Sequence, residues 1–206
     1  MTATPSPIAR SELILGGQKS GKSRRAELLA RDWLAQSPQH SALLIATAQP
    51  WDDEMRARIQ RHQRDRAARV PGLATLEEPL DLAAVLQRES TPHTLLVVDC
   101  LTLWLTNWLM PADSAVLPLA ENSEPNPPPA LVWQAQAALF SGAVAQAPGP
   151  VVLVGNEIGL GVIPMGREVR AFVDALGVLN QQVAQACERV TLMAAGLPLT
   201  LKEPLR

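Results

Sequence analysis

Apolar positions gather in four short runs, Leu13 to Leu15, Leu43 to Ile45, Leu95 to Val98 and Val151 to Val154, each followed by small or polar residues. Runs this short, separated by helical patterns, predict buried parallel strands joined by covering helices, an α/β architecture. RRAELLARDWLA, just after the first run, has helical spacing, and so does WDDEMRARIQRHQRDR at residues 51–66. In the second segment Asp52 and Asp53 suit a helix start. Glu54, Arg58 and His62 then fall four apart on one face, while Met55 and Ile59 on an adjacent face are expected to pack inward and fix the helix, with His62 projecting from its end. The stretch TLLVVDCLTLWLTNWLM, residues 94–110, is mostly apolar, but Asp99 near its middle makes membrane insertion costly. It divides into a buried strand from Leu95 to Val98, Asp99 at the strand's carboxyl end, and an apolar helix carrying Trp104 and Trp108. A short C-terminal hairpin is expected from Val190 to Met193 and Leu199 to Lys202.

Residues 111–130, PADSAVLPLAENSEPNPPPA, break this alternation: PNPPP continues neither a helix nor a central strand, so a proline-rich loop is expected there. With 206 residues and no internal repeat, the chain reads as a single domain, 1–206, interrupted by that loop. The net charge of −2 counts against a broad basic surface for nucleic acid and favours a small anion as partner. MTATPSPIAR lacks both the basic and the apolar region of a secretory signal, so a cytoplasmic location is expected, with no membrane span. Cys100 and Cys187 sit in apolar segments and are expected as buried thiols, not metal ligands.

Chemistry enters with LILGGQKSGKS, residues 13–23, which sets Gly16, Gly21, Lys22 and Ser23 in the G-x-x-x-x-G-K-S spacing of a phosphate-binding loop. Glycines let the backbone turn its N–H groups inward, Lys22 neutralises β- and γ-phosphate charge, and the Ser23 hydroxyl can ligate Mg²⁺. The helix that follows aims its N-terminus at the phosphates. The fold class is therefore P-loop NTPase-like, with a mainly parallel central sheet flanked by helices. Asp99 at the end of LLVV has the form of the partner motif, a strand-end carboxylate holding Mg²⁺ directly or through water; the competing reading is a cap for the next helix.

Spacing alone leaves His62 open. A lone histidine in a basic helix is commonly a solvated residue, yet a neutral imidazole can attack phosphorus, with Arg58, Arg61, Arg64 and Arg66 neutralising a polyphosphate leaving group. His40 and His93 lie among loop-like residues. At 151–167, VVLVGNEIGLGVIPMGR runs a buried strand into Asn156, Glu157 and a loop with Gly159, Gly161 and Pro164. Strand carboxyl ends are where open α/β sheets place ligands, so Glu157 is a candidate contact, against the alternative of a plain glycine turn.

Taken in order, LGGQKSGKSRRAE, IATA, DDEMRARIQRH, LLVVDCLTLWLTN and VGNEIGLGVIPMGREVRAFVDALGVLNQQVA resemble the bifunctional adenosylcobinamide kinase and adenosylcobinamide-phosphate guanylyltransferase family of cobalamin biosynthesis. The resemblance implies phosphorylation of adenosylcobinamide, then transfer of GMP from GTP to that phosphate through a guanylylated histidine, giving adenosylcobinamide-GDP. His62 matches that histidine. The same matches imply nucleotide contacts at Gly16, Gly17, Gln18, Lys19, Ser20, Gly21, Lys22 and Ser23, at Ala46, Thr47 and Ala48, at Gln63, Arg64, Asp65 and Arg66, and at Glu77 and Asp99. Mg²⁺ is expected on Ser23 and Asp99, with ATP and GTP as substrates, a corrinoid as acceptor and a homotrimer as the assembly. The corrinoid is bulky and partly apolar, and the 156–164 loop is expected to wall its groove. After Arg66 the family continues with a proline and an aromatic residue, where this chain has AARVPGLAT. Two other readings stay open, a kinase of this fold without guanylyl transfer and a nucleotide-dependent switch module.

Overall fold

The computed structural model describes residues 8–50, 52–111 and 129–204. Most of the proline-rich segment and the first seven residues therefore lie outside the described ones. Seven strands form one sheet in the order β3-β2-β4-β5-β1-β6-β7. They are β1 (Ser11–Gly16), β2 (Ser41–Ala46), β3 (Leu73–Glu77), β4 (Thr94–Asp99), β5 (Val151–Val154), β6 (Arg189–Ala194) and β7 (Leu197–Lys202). Adjacent pairs among β1 to β6 run parallel, and β7 returns antiparallel on β6. The expected hairpin is thus present.

The helices are α1 (Lys22–Leu34), α2 (Asp53–Arg69), α3 (Leu82–Glu89), α4 (Leu101–Leu109), α5 (Pro129–Gln146) and α6 (Arg167–Ala186). Pro129 opens α5, where its fixed φ and missing N–H cost nothing. Central strands send alternate residues to opposite faces. Leu13, Leu96, Val98 and Leu153 join a large apolar cluster with Trp104, Phe140 and Leu179, whereas Ile14, Leu95, Val97 and Val152 join a smaller one with Ala26 and Ala30 of α1. Burial on both faces explains why these strands read as continuous apolar runs. Trp104 and Phe140 meet at 5.4 Å between ring centroids, and the Trp104 indole donates to Leu80 O at 2.7 Å.

α2 departs from expectation. Its start is as read, with Asp52 Oδ1 accepting from Met55 N–H at 2.7 Å. Met55 and Ile59, however, are only half-buried and join neither core cluster, because the helix has no continuous apolar stripe for a core to cover. It is secured at its C-terminal end, where Arg66 and Val70 are buried and Arg69 pairs with Glu27 of α1. β3, which follows it, was not foreshadowed by the apolar pattern: it is an edge strand with a half-exposed sequence, entered through Gly72 at φ +94°. Cys187 is buried, and burial pushes its thiol up to about 12, whereas Cys100 is half-buried at the residue level. Among the described residues, no helix is long and apolar enough to cross a membrane.

Candidate functional site

β1 delivers the chain into the glycine loop and α1 leaves it, as the motif requires. Gly16 takes φ +150°, Lys19 φ +56° and Gly21 φ +101°, so the turn leaves the right-handed region three times within six residues. At Gly16 a side chain is excluded outright: a Cβ would fall 2.5 Å from Met193 O and 2.6 Å from Ser20 Oγ. The loop is closed by Ser20 N–H donating to Gly17 O at 3.3 Å and is supported by the β6–β7 turn, whose Gly196 N–H donates to Ser20 O at 3.1 Å. That turn has Ala195 at φ +52° and Gly196 at φ +80°, the signs of a type I′ hairpin. Its support of the loop was absent from the motif reading, since it joins residues remote in sequence.

Lys22 is buried, and its ammonium donates to Gly17 O at 2.6 Å. Burial pulls its pKa below the usual lysine value, while Cys100 and Asp99 act in the opposite sense, which places Asp99 within electrostatic reach of Lys22. Ser23, one residue on, is half-buried, as is Asp99.

The strand ends form one rim. Asp99 is in register with Ala46 of β2 and Val154 of β5, and Val154 with Ile14 of β1. Thr47 continues β2 and is fully buried. Its hydroxyl donates to Cys100 O at 2.8 Å and accepts from Cys100 N–H at 2.9 Å, and its own N–H donates to Asp99 O at 3.2 Å. Of the residues matched as 46–48, Thr47 therefore anchors the Asp99 strand end, while Ala46 and Ala48 stay half-buried at the rim. Asn107 of α4 secures the same corner by donating to Thr47 O at 2.9 Å and Pro79 O at 3.0 Å.

Glu77 ends β3 in register with Ala46 and is exposed. Four strand spacings of about 4.8 Å separate β3 from β1 in the sheet order, so Glu77 lies roughly 19 Å along the rim from the phosphate loop. His62, Gln63, Arg64 and Asp65 are exposed on α2, and Arg66 points inward, its guanidinium donating to Thr75 Oγ1 at 3.0 Å. Among the described residues no hydrogen bond or ion pair joins His62 to the phosphate loop. What connects the two regions is the Glu27–Arg69 pair between α1 and α2.

The loop after β5 is brought against the phosphate loop. Gly155 N–H donates to Ile14 O at 3.0 Å and Glu157 N–H to Gly16 O at 3.1 Å. Asn156 N–H donates to Thr102 Oγ1 at 2.9 Å, and the amide of Asn180 in α6 donates to Asn156 O at 3.0 Å. Thr102 and Asn180 escaped the sequence reading; the one signal was an asparagine inside the apolar stripe of α6. Beyond Glu157 the loop turns outward, leaving Leu160, Val162, Ile163 and Met165 at 78–97 % exposure. Between it and α6 lies an open groove of about 470 Å³, lined by apolar residues such as Ile158, Val162 and Val173 and by polar Arg170, Asp174 and Gln181. Exposed apolar side chains grouped in this way are common at binding faces.

The site's oxygen donors are the Ser23 hydroxyl and the Asp99 carboxylate, a hard set that suits Mg²⁺ completed by water and phosphate oxygens. Ser20 Oγ is buried in the same loop without a protein partner among the described residues. Among those residues there is no cluster of three or more histidine, cysteine or acidic side chains able to cage a metal unaided.

Comparison with known proteins adds a family. Residues 12–201 match the family described as cobinamide kinase / cobinamide phosphate guanyltransferase. The chain is 47 % identical over 196 residues to the bifunctional adenosylcobalamin biosynthesis protein CobP of Pseudomonas aeruginosa, covering 94 % of this chain and 99 % of that one. It is 35 % identical over 193 residues to the protein of the same description, CobU, from Salmonella typhimurium, covering 92 % and 98 %. Among solved structures, flagellar accessory protein FlaH of Methanocaldococcus jannaschii aligns with a TM-score of 0.48 and 12 % identity, covering 96 % of this chain and 80 % of that one.

Proposed function

The chain belongs to the cobinamide kinase / cobinamide phosphate guanyltransferase family, and from that premise we propose that it carries out both reactions in the cytoplasm, with His62 as the guanylylated residue. The kinase step moves the γ-phosphoryl group of ATP or GTP to the aminopropanol hydroxyl of adenosylcobinamide. In the transferase step a nitrogen of His62 bonds to the α-phosphorus of GTP as pyrophosphate leaves, and the phosphate of adenosylcobinamide-phosphate then displaces the histidine. Splitting the transfer lets the charge of each polyanion be met in turn.

One observation carries the reading. The phosphate loop holds the buried Lys22 ammonium on Gly17 O at 2.6 Å and within electrostatic reach of Asp99, and the helix leaving that loop is tied through Glu27 to Arg69 of the helix bearing His62. Gly16, Gly17, Gln18, Lys19, Ser20, Gly21 and Lys22 cradle the polyphosphate by backbone N–H groups and one ammonium. Ser23 and Asp99 would hold Mg²⁺, which would supply positive charge to offset that of the phosphates. Ala46, Ala48 and Glu77 lie along the nucleotide rim, with Thr47 bracing it. Gln63, Arg64 and Asp65 meet GTP beside His62, and Arg66 orients that turn from beneath. The groove between the 156–164 loop and α6 seats the corrinoid. The assembly is a homotrimer, and the exposed length of α2 is open to a neighbouring subunit.

The test is product analysis by mass spectrometry. With adenosylcobinamide, Mg²⁺ and ATP, the phosphate ester accumulates; adding GTP converts it to adenosylcobinamide-GDP. Phosphorylation that stops at the ester in the presence of GTP would leave a kinase alone, and nucleotide turnover with the corrinoid unmodified would favour a switch module.

A further inference from the structure

β5 lies between β4, which ends in Asp99, and β1, which ends in Gly16. Neighbouring strands sit about 4.8 Å apart, so the chain leaving the end of β5 emerges between the phosphate loop and the strand-end carboxylate. Glu157 lies in that exit, three residues beyond Val154, the last residue of β5. Its N–H is pinned to Gly16 O at 3.1 Å, so its backbone cannot drift from the loop without breaking a bond to the first glycine. Gly155 permits this approach: a Cβ there would already sit 3.1 Å from Leu15 Cδ2.

The side chain is held as well. Oε1 accepts from Gly159 N–H at 2.9 Å, and the Asn180 amide lies 3.5 Å from Oε2. Asn180 is only 4 % exposed and also donates to Asn156 O, so it is itself immobilised. Glu157 is half-buried and joins none of the ion pairs among the described residues. An ionised carboxylate accepts about four hydrogen bonds, so two donors leave lone pairs to take a proton. The groove proposed to seat the acceptor, whose lining includes Ile158 and Val162, begins one residue beyond Glu157.

The geometry points to Glu157 as the general base of the kinase step, an assignment that rests on the kinase half of the proposed function. As the aminopropanol oxygen bonds to the γ-phosphorus, its proton passes to Glu157. The bond from the γ-phosphorus to the β-bridging oxygen breaks, the nucleoside diphosphate leaves, and Glu157 returns the proton to water.

Glu157→Gln tests this, since glutamine keeps the shape and an oxygen for Gly159 N–H but takes no proton at working pH. Kinase kcat should fall about 10²- to 10⁴-fold, with the nucleotide KM unchanged and labelling of His62 by GTP retained. Undiminished kcat in the variant beside an active wild type would overturn the assignment. So would a raised nucleotide KM together with loss of His62 labelling, which would make Glu157 a brace for the phosphate loop. If glutamine does not fold at this position, Glu157→Asp decides: a fall confined to kcat supports the base, and a change confined to KM overturns it. A wild-type protein that leaves adenosylcobinamide unphosphorylated would sink the kinase reading itself, and this assignment with it.

Discussion

Thr47 offers the sharpest test of how the site is braced, because its side chain has been assigned to the rim and yet is fully buried. Valine is nearly the same shape, so Thr47→Val removes two hydrogen bonds and little else. One is donated to Cys100 O at 2.8 Å and the other accepted from Cys100 N–H at 2.9 Å. Each is worth about 1 kcal/mol net, and a peptide group left buried without a partner costs about 1–3 kcal/mol. The expected loss is therefore about 2–5 kcal/mol, a large share of the roughly 5–15 kcal/mol that holds a domain together. In urea, with a slope of about 2 kcal/mol per molar, the midpoint should drop by about 1–2.5 M with the slope unchanged. Nucleotide affinity of the folded variant should stay within about threefold of wild type, as for a residue that meets no ligand. An unchanged midpoint with lost affinity would refute the reasoning, since the hydroxyl would then serve the nucleotide and not Cys100.

Further outcomes follow from the loop itself. Gly16→Ala drives a Cβ to within 2.5 Å of Met193 O, so it should cost about 1–3 kcal/mol in chemical denaturation and weaken nucleotide binding measured by calorimetry. Lys22→Ala should impair both reactions in steady-state assays while leaving the circular dichroism spectrum intact; unchanged kinetics of both would defeat the assignment of the loop.

The central strands were legible because they are buried on both faces, and Leu13 to Leu15 or Leu95 to Val98 had no other soluble use. The phosphate loop was equally plain, since its glycines answer to backbone geometry that few sequences need. β3 was hidden: LATLE is half-exposed at a sheet edge and carries neither alternation nor an apolar run. The inward packing expected of Met55 and Ile59 failed because two apolar residues in a turn do not make a stripe when everything around them is charged. Asn180 and the Ala195–Gly196 turn serve the site through partners far away in sequence, and only the closed sheet brings Gly196 to Ser20 or Asn180 to Glu157. Motifs single out the candidates for chemistry; which residues brace the site was not readable from them. Thr47 and Arg66 share motif blocks with the site, yet turn their side chains into the protein.

The central claim is that His62 becomes guanylylated, and GTP labelled at the α-phosphate measures it directly. His62 is exposed and makes no hydrogen bond or ion pair with any other described residue, so His62→Ala should fold as the wild type does. Incubation with the labelled nucleotide and Mg²⁺, followed by denaturing electrophoresis with and without acid, should leave acid-labile label on the wild type and none on the variant. Label persisting on His62→Ala would move the nucleophile elsewhere, and a wild type that never takes up label would contradict the two-step transfer.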